Sequence, residues 1–64
     1  MYKIKIVPLD SSLLVSEIYC EAHSIKDSLL TLSKVSERNG IFYKNETMVI
    51  YNMSCIRNIS ISIL

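Results

Sequence analysis

Glycine and proline are nearly absent from this sequence, which contains one of each, Gly40 and Pro8. Loops that bind phosphate need several glycines so that backbone N–H groups can surround the anion. A single glycine therefore excludes the common nucleotide-binding motifs. Proline cannot donate a hydrogen bond to a neighbouring strand, so Pro8 is expected to end a strand or to lie at a sheet edge.

The chain also lacks runs of charge and long apolar segments. Its seven basic and six acidic residues are dispersed and give a formal charge of +1, so no strong field directs it to an oppositely charged partner. No segment approaches the roughly 20 apolar residues that span a bilayer, and no apolar stretch typical of a signal peptide follows the charged start. These absences predict a cytoplasmic protein without membrane contact.

Cysteine and histidine are too few for the usual metal and nucleophile sites. Cys20, His23 and Cys55 offer three soft ligands, whereas a structural zinc site uses four in closely spaced pairs. His23 is the one histidine available to a nucleophile, and on a strand it would point away from Cys20. We therefore expect two free, buried thiols, no metal, no cofactor, no catalytic residue and no enzymatic activity.

Apolar residues, by contrast, make up 50% of the 64 residues, and charged residues 20%. This composition excludes a disordered chain and fits one domain spanning residues 1–64. A domain of this size buries about 60% of the surface that its unfolded chain exposes, and such small folds usually need a staple or a partner. We expect another protein surface to cover part of the apolar excess.

Alternating residues predict strands at both ends of the chain. The first segment and the final strand, 57–63, carry an apolar residue at every second position: Tyr2, Ile4, Ile6, and Ile59, Ile61, Ile63. A hairpin is predicted from strands 41–43 and 48–51, joined by four polar residues. A turn is expected at Asp10 to Ser12 and a turn or bulge at Asn52 to Ser54, where side chains can bond nearby backbone groups.

The middle of the chain allows two interpretations. Apolar residues spaced by three and four predict one helix of nearly thirty residues. The β-branched and aromatic residues of 13–20, together with the helix-start signal Ser24 and Asp27, favour a strand over 13–22 followed by a helix over 25–38.

We adopt the second interpretation, in which Asn39 and Gly40 supply the left-handed stop of the helix. The predicted fold class is α+β, with a single helix packed on an antiparallel sheet in the order ββαββ(β).

One helix covers one face of such a sheet, so apolar strand residues on the other face or at a free edge are expected to contact a protein partner. The function predicted is a non-enzymatic protein-interaction module that forms a homo-oligomer or binds a host protein. The interface candidates are Tyr19, Tyr43, Tyr51, Ile59, Ile61 and Ile63.

Two other binding functions stay open at this point. Exposed aromatic and basic side chains on a sheet also bind single-stranded nucleic acid, and the candidates for that role are Lys3, Lys5 and Arg57. Alternatively, a cleft between protomers could bind a small ligand such as a nucleotide.

The chain resembles the small proteins encoded by bacteriophages and mobile elements, because it is a single small domain without a targeting signal. This resemblance implies a regulator or inhibitor of a host protein. No motif of a named family accompanies it, so no residue role is carried over.

Overall fold

A computed structural model describes the backbone of residues 1–64 and the side chains of residues 1–44 and 47–64. The chain forms strands β1 (Tyr2–Pro8), β2 (Ser16–Lys26), β3 (Leu29–Arg38), β4 (Ile41–Asn52) and β5 (Ile56–Ile63). A short 3₁₀ turn, Met53–Cys55, connects β4 to β5. Along this described backbone, no helix has the length and apolar character needed to cross a membrane.

The strands form one antiparallel sheet in the order β4-β3-β2-β1-β5, so its two edge strands are consecutive in the chain. In a flat sheet, strand spacings of about 4.8 Å would separate these edges by roughly 19 Å. The chain from Asn52 to Ile56 reaches at most about 15 Å even when fully extended. The sheet is therefore curled, and its edges approach each other at the 3₁₀ turn.

The helix predicted over 25–38 does not form, and the α+β class is wrong: the structure is an antiparallel sheet throughout. Residues 25–38 belong to the β2–β3 hairpin and β3. Lys26 pairs with Leu29, and the two residues between them, Asp27 and Ser28, have φ of 52° and 62°. Two consecutive positive φ values are typical of a type I′ turn, whose twist matches that of a hairpin. Asp27 is thus a turn residue and not part of a helix cap.

The Asn39-Gly40 pair forms a second two-residue turn of the same kind. Asn39 has φ of 52° and Gly40 of 79°, and the flanking residues Arg38 and Ile41 pair across the hairpin. Asn-Gly between alternating segments is a strong hairpin signal, and it shares its positive φ with a helix stop. The prediction identified the backbone conformation correctly and assigned it to the wrong element.

The other strand predictions are mixed. The first strand and the final strand are confirmed, as are the turn at Asp10 and the turn at Asn52 before β5. The second strand begins at Ser16 and not at residue 13. The hairpin predicted at 41–51 is one long strand, β4, whose pairing with β3 is irregular between Ser33 and Val35.

The core lies on the concave side of the curled sheet. Residues directly opposite each other in an antiparallel pair share a face, and Ile4 lies between Ile18 on β2 and Ile61 on β5. We name this side the inner face, and the side that carries Lys3 and Tyr19 the outer face. The buried cluster on the inner face consists of Ile4, Ile6, Cys20, Leu30 and Leu32.

Partly buried side chains from both edges of the sheet pack against this cluster, including Tyr51, Met53, Ile56 and Ile59. The curled sheet therefore covers its own inner face, which is the role the sequence analysis gave to a helix. This cover extends over the middle of the sheet and leaves exposed apolar side chains at its margins.

Candidate functional site: the β5 edge and the loop 9–15

The six predicted interface residues fall into three groups. Tyr51 and Ile59 are half-buried and pack against the core. Tyr19 is half-buried on the outer face, where its ring meets that of Phe42 edge-on with centroids 5.2 Å apart. The other three, Tyr43, Ile61 and Ile63, are 50%, 43% and 82% exposed. Tyr43 lies on β4 beside Ser36 and Arg38, whereas the two isoleucines lie on β5.

Ile61 and Ile63 belong to the inner face, because they lie opposite Ile4 and Tyr2 of β1. Ile4 is fully buried, whereas its partner Ile61 keeps almost half of its surface accessible. The difference follows from position: β1 is flanked by β2 and β5, while β5 is an edge strand of the described sheet. The core face therefore continues beyond the last strand that covers it.

The outer edge of β5 carries few of the features that protect sheet edges. Residues 58–63 contain no charged residue and no proline, and their register with β1 is unbroken from Val7 and Asn58 to Tyr2 and Ile63. Soluble proteins usually protect an edge with a lysine, a proline or a bulge. β5 is therefore open to pairing with another strand.

The opposite edge, β4, has such protection. Its pairing with β3 is irregular opposite Ser33 and Val35, and Lys44 lies on this strand, 3.6 Å from the carboxylate of Glu21. An irregular pairing and a charged side chain both disfavour regular pairing with a further strand. Between the two edges, β5 is the better candidate for a contact.

Two of the three residues predicted to bind nucleic acid, Lys3 and Arg57, are engaged within the chain. Lys3 Nζ lies 3.4 Å from the carboxylate of Glu17 and 5.9 Å from the ring centroid of Tyr19. Lys5 lies opposite the same glutamate. Arg57 donates a hydrogen bond of 3.2 Å to the carbonyl oxygen of Leu9. The structure assigns Arg57 to fixing a loop, a role that the sequence analysis missed.

That loop, residues 9–15, is the second candidate for a contact, after the β5 edge. Hydrogen bonds hold it at its base. The Leu9 N–H donates to the Cys55 carbonyl at 2.9 Å. Within the loop, Asp10 Oδ1 accepts from the N–H and the hydroxyl of Ser12 at 2.9 and 2.7 Å, and the Leu13 N–H donates to the Asp10 carbonyl at 3.1 Å. The two bonds from Ser12 hold the pKa of the Asp10 carboxyl below its usual value.

The fixed loop nevertheless exposes three consecutive apolar residues. Leu13, Leu14 and Val15 are 60%, 88% and 49% exposed. The strand predicted over 13–22 includes all three, whereas β2 begins at Ser16. Their lack of alternation, directly after an Asp-Ser-Ser turn, is the signal that would have placed them in a loop.

A groove of about 310 Å³ lies between this loop, β1, the end of β4 and the start of β5. Its lining is mainly apolar and contains no Lys, Arg, Asp or Glu among the described side chains. The lining residues are Ile6, Pro8, Leu13, Leu14, Ser16, Tyr51, Asn52, Cys55 and Ile56.

The two thiols differ in environment, contrary to the prediction that both are buried. Cys20 is in the core, and burial raises the pKa of its thiol. Cys55 is exposed in the 3₁₀ turn and lines the groove. His23 shares the inner face with Cys20, because the register shift beyond Cys20 brings it opposite Leu32, and its ring meets that of Tyr2 at 4.8 Å. No group of three potential metal ligands occurs among the described side chains.

Comparison with known proteins identifies no relative: no family model, no curated protein and no solved structure matches the chain.

Proposed function

We propose that this protein is a non-enzymatic interaction module that associates with a second copy of itself through the outer edge of β5. The observation that supports this proposal is the combination of an edge whose residues 58–63 include no charged residue and no proline with two exposed isoleucines, Ile61 and Ile63, on the core face. An added strand would hydrogen-bond to the free backbone groups of that edge and cover both side chains.

A second copy is suited to this edge by symmetry. Two copies related by a two-fold axis normal to the sheet pair their β5 strands antiparallel and keep the same face of each sheet on one side. If Ile61 lies on the axis, it meets Ile61 of the other copy, and Ile59 meets Ile63. Every other register that keeps this two-fold axis also places odd-numbered residues of one β5 opposite odd-numbered residues of the other. Isoleucines therefore remain on the shared inner face, and serines pair with serines on the outer face.

The test is the mass in solution of the full chain at micromolar concentration, measured by light scattering. The wild type is expected to have about twice the monomer mass of 7.3 kDa. Ile63→Lys puts a charge on the shared face and is expected to give a monomer. Ile50→Lys changes a side chain of similar exposure, 61%, on β4 and is expected to remain dimeric.

A wild-type chain that stays monomeric at the highest concentration reached would contradict the proposal. So would a dimer that survives Ile63→Lys and dissociates with Ile50→Lys, because that result would place the contact on β4.

A further inference from the structure

We propose that the cleft lined by Arg38 and Tyr43 binds the carboxylate group of a ligand that also carries a short aliphatic group. The cleft has a volume of about 200 Å³, and its lining residues are Ser36, Arg38 and Tyr43. It lies on strands β3 and β4, near the turn that joins them, whereas the proposed contact between copies lies on β5. Binding at this site does not depend on self-association.

The strand register brings the three lining side chains to one face. Ser36 lies directly opposite Tyr43, and residues opposite each other in an antiparallel pair share a face. Arg38 is two residues beyond Ser36 on the same strand, so it shares that face as well. In the described sheet, β2 pairs with β3 only as far as Lys34. The part of β3 that carries Ser36 and Arg38 is therefore open on the β2 side, which leaves room for a ligand.

The positive charge of Arg38 is not neutralised by any of the described side chains. The ion pairs that these side chains form involve two lysines and not Arg38. Glu37, its acidic neighbour in the sequence, lies on the opposite face of the strand, and the Glu37 carboxylate accepts from the Gly40 N–H at 2.7 Å. The exposed guanidinium of Arg38 presents a planar fork of N–H donors, which matches the two oxygens of a carboxylate.

The charge and size of the cleft favour a carboxylate over a phosphate. Arg38 is the one charged residue in the described lining, so the site supplies a single positive charge. A carboxylate balances that charge, whereas a phosphate monoester carries about −1.5 to −2 at neutral pH. The volume is also smaller than the roughly 300–1,000 Å³ of clefts that bind drug-sized ligands. The cleft therefore fits one charged group with a short attachment.

Tyr43 and Ile41 indicate what that attachment is. The Tyr43 hydroxyl can donate a hydrogen bond to the carboxylate, and Tyr43 is 50% exposed. Ile41 lies opposite Arg38 on the same face and is 56% exposed. An aliphatic group attached to the carboxylate can cover part of both side chains and remove apolar surface from water. A free aliphatic acid has this chemistry, and so does a protein C-terminus that ends in an aliphatic residue.

The probe is sodium hexanoate, titrated at constant ionic strength into the ¹⁵N-labelled full chain. Hexanoate is expected to bind saturably at millimolar concentration and to shift the amide signals of residues 36–38 and 41–43. Hexanamide has the same stem without the charge and is expected not to bind.

A short peptide that ends in a free leucine carboxylate, compared with its C-terminal amide, distinguishes the two sources of the ligand. Binding of the free peptide about tenfold tighter than hexanoate indicates a protein C-terminus. Binding no tighter than hexanoate indicates a free acid.

Four variants separate the guanidinium fork and the hydroxyl from general charge. Arg38→Gln is expected to weaken hexanoate binding about tenfold or more, and Arg38→Lys, which keeps the charge and loses the fork, is expected to lie between Arg38→Gln and the wild type. Tyr43→Phe removes the hydroxyl alone and is expected to weaken binding about two- to tenfold. Lys26→Gln removes one positive charge from an exposed residue of β2 and is expected to bind like the wild type.

The ¹⁵N spectrum of each variant shows whether it is folded, and Tyr43→Phe still tests the site if a change at Arg38 unfolds the chain. Ile63→Lys is expected to bind hexanoate like the wild type, so a failure of the β5 contact and a failure of this site are distinguishable. The proposal is overturned if chloride causes the same shifts, if the shifted signals lie outside the β3–β4 hairpin, or if Lys26→Gln weakens binding as much as Arg38→Gln does.

Discussion

Ile63 lies directly opposite Tyr2 on the inner face of the sheet, yet Ile63 is 82% exposed and Tyr2 is half-buried. Tyr2 has β2 on its other side, and the ring of His23 lies against it at 4.8 Å. Ile63 has no strand beyond it in the described sheet. A further strand along β5 would cover Ile63 and remove this asymmetry.

Stability of the monomer depends on the inner cluster and not on the exposed isoleucines. Leu32 is fully buried, so Leu32→Ala is expected to cost about 2–5 kcal/mol of unfolding free energy. That loss is a large part of the total for so small a domain, which is about 3–10 kcal/mol. Ile63→Ala, measured by urea denaturation at a concentration where the chain is monomeric, is expected to cost under about 0.5 kcal/mol. Equal costs for the two variants would contradict this description of the core.

The turn between β3 and β4 requires a residue that accepts positive φ. Gly40 has φ of 79°, and a Cβ atom added there would meet no other atom within 4 Å. Gly40→Ala is therefore expected to cost about 1 kcal/mol through backbone strain alone. Because the chain is short enough for chemical synthesis, D-alanine can be placed at the same position. It favours positive φ and is expected to stabilise the fold by up to about 1 kcal/mol.

Thermal or urea unfolding of the two synthetic proteins measures whether each alanine lowers or raises the stability of the fold. Both retain the hydrogen bond from the Gly40 N–H to the Glu37 carboxylate, so they differ in chirality alone. An L-alanine protein as stable as the D-alanine protein would show that this turn is not type I′.

The two thiols are expected to react at very different rates. Cys55 is exposed, while Cys20 is fully buried and burial raises the pKa of its thiol, so little reactive thiolate forms there. Mass spectrometry after brief maleimide treatment at neutral pH is expected to show one adduct, on Cys55. A second adduct should follow when urea unfolds the chain. Equal labelling of both thiols in the folded protein would contradict the position of β2 in the core.

Acid is expected to loosen the loop 9–15. The pKa of Asp10 is below its ordinary value of 3.8 because the Ser12 hydroxyl and N–H donate to the ionised carboxylate. The stabilisation is therefore complete above that ordinary value and is lost as pH falls through the folded pKa. The Ser12 amide signal is expected to titrate with a midpoint below 3.8. Asp10→Asn keeps an acceptor oxygen and is expected to retain the turn without this pH dependence. A midpoint at or above 3.8 would contradict the bonds to Ser12.

The terminal strands were predictable because their alternation is strict and local. Ile59, Ile61 and Ile63 recur at every second position, and β5 follows that pattern. The turn at Asn52 was predictable for a similar reason, since its side chain bonds the Ser54 N–H two residues later.

The central hairpin was not predicted because its residues fit two periods at once. Leu29, Leu32 and Val35 recur as on a helix, although they occupy both faces of β3, and Leu30 and Leu32 are the alternating pair that is buried. Positive φ at Asp27 and Asn39 is compatible with either a hairpin turn or a helix end. The choice between them is made by pairing with distant strands, which a local pattern does not contain.

The groove was not predicted because it is built from separate parts of the chain. Leu14 and Cys55 both line it, although they are far apart in the sequence. The bond from Arg57 to Leu9 also depends on the return of β5 to the side of β1.

The most direct test of self-association through β5 is an isotope-filtered NOE experiment on an equal mixture of ¹³C-labelled and unlabelled chains. With Ile61 on the two-fold axis, the symmetric pairing predicts methyl contacts between Ile61 and Ile61, and between Ile59 and Ile63, on different molecules. A spectrum without intermolecular contacts at concentrations well above micromolar, or one whose contacts come from β4, would contradict it.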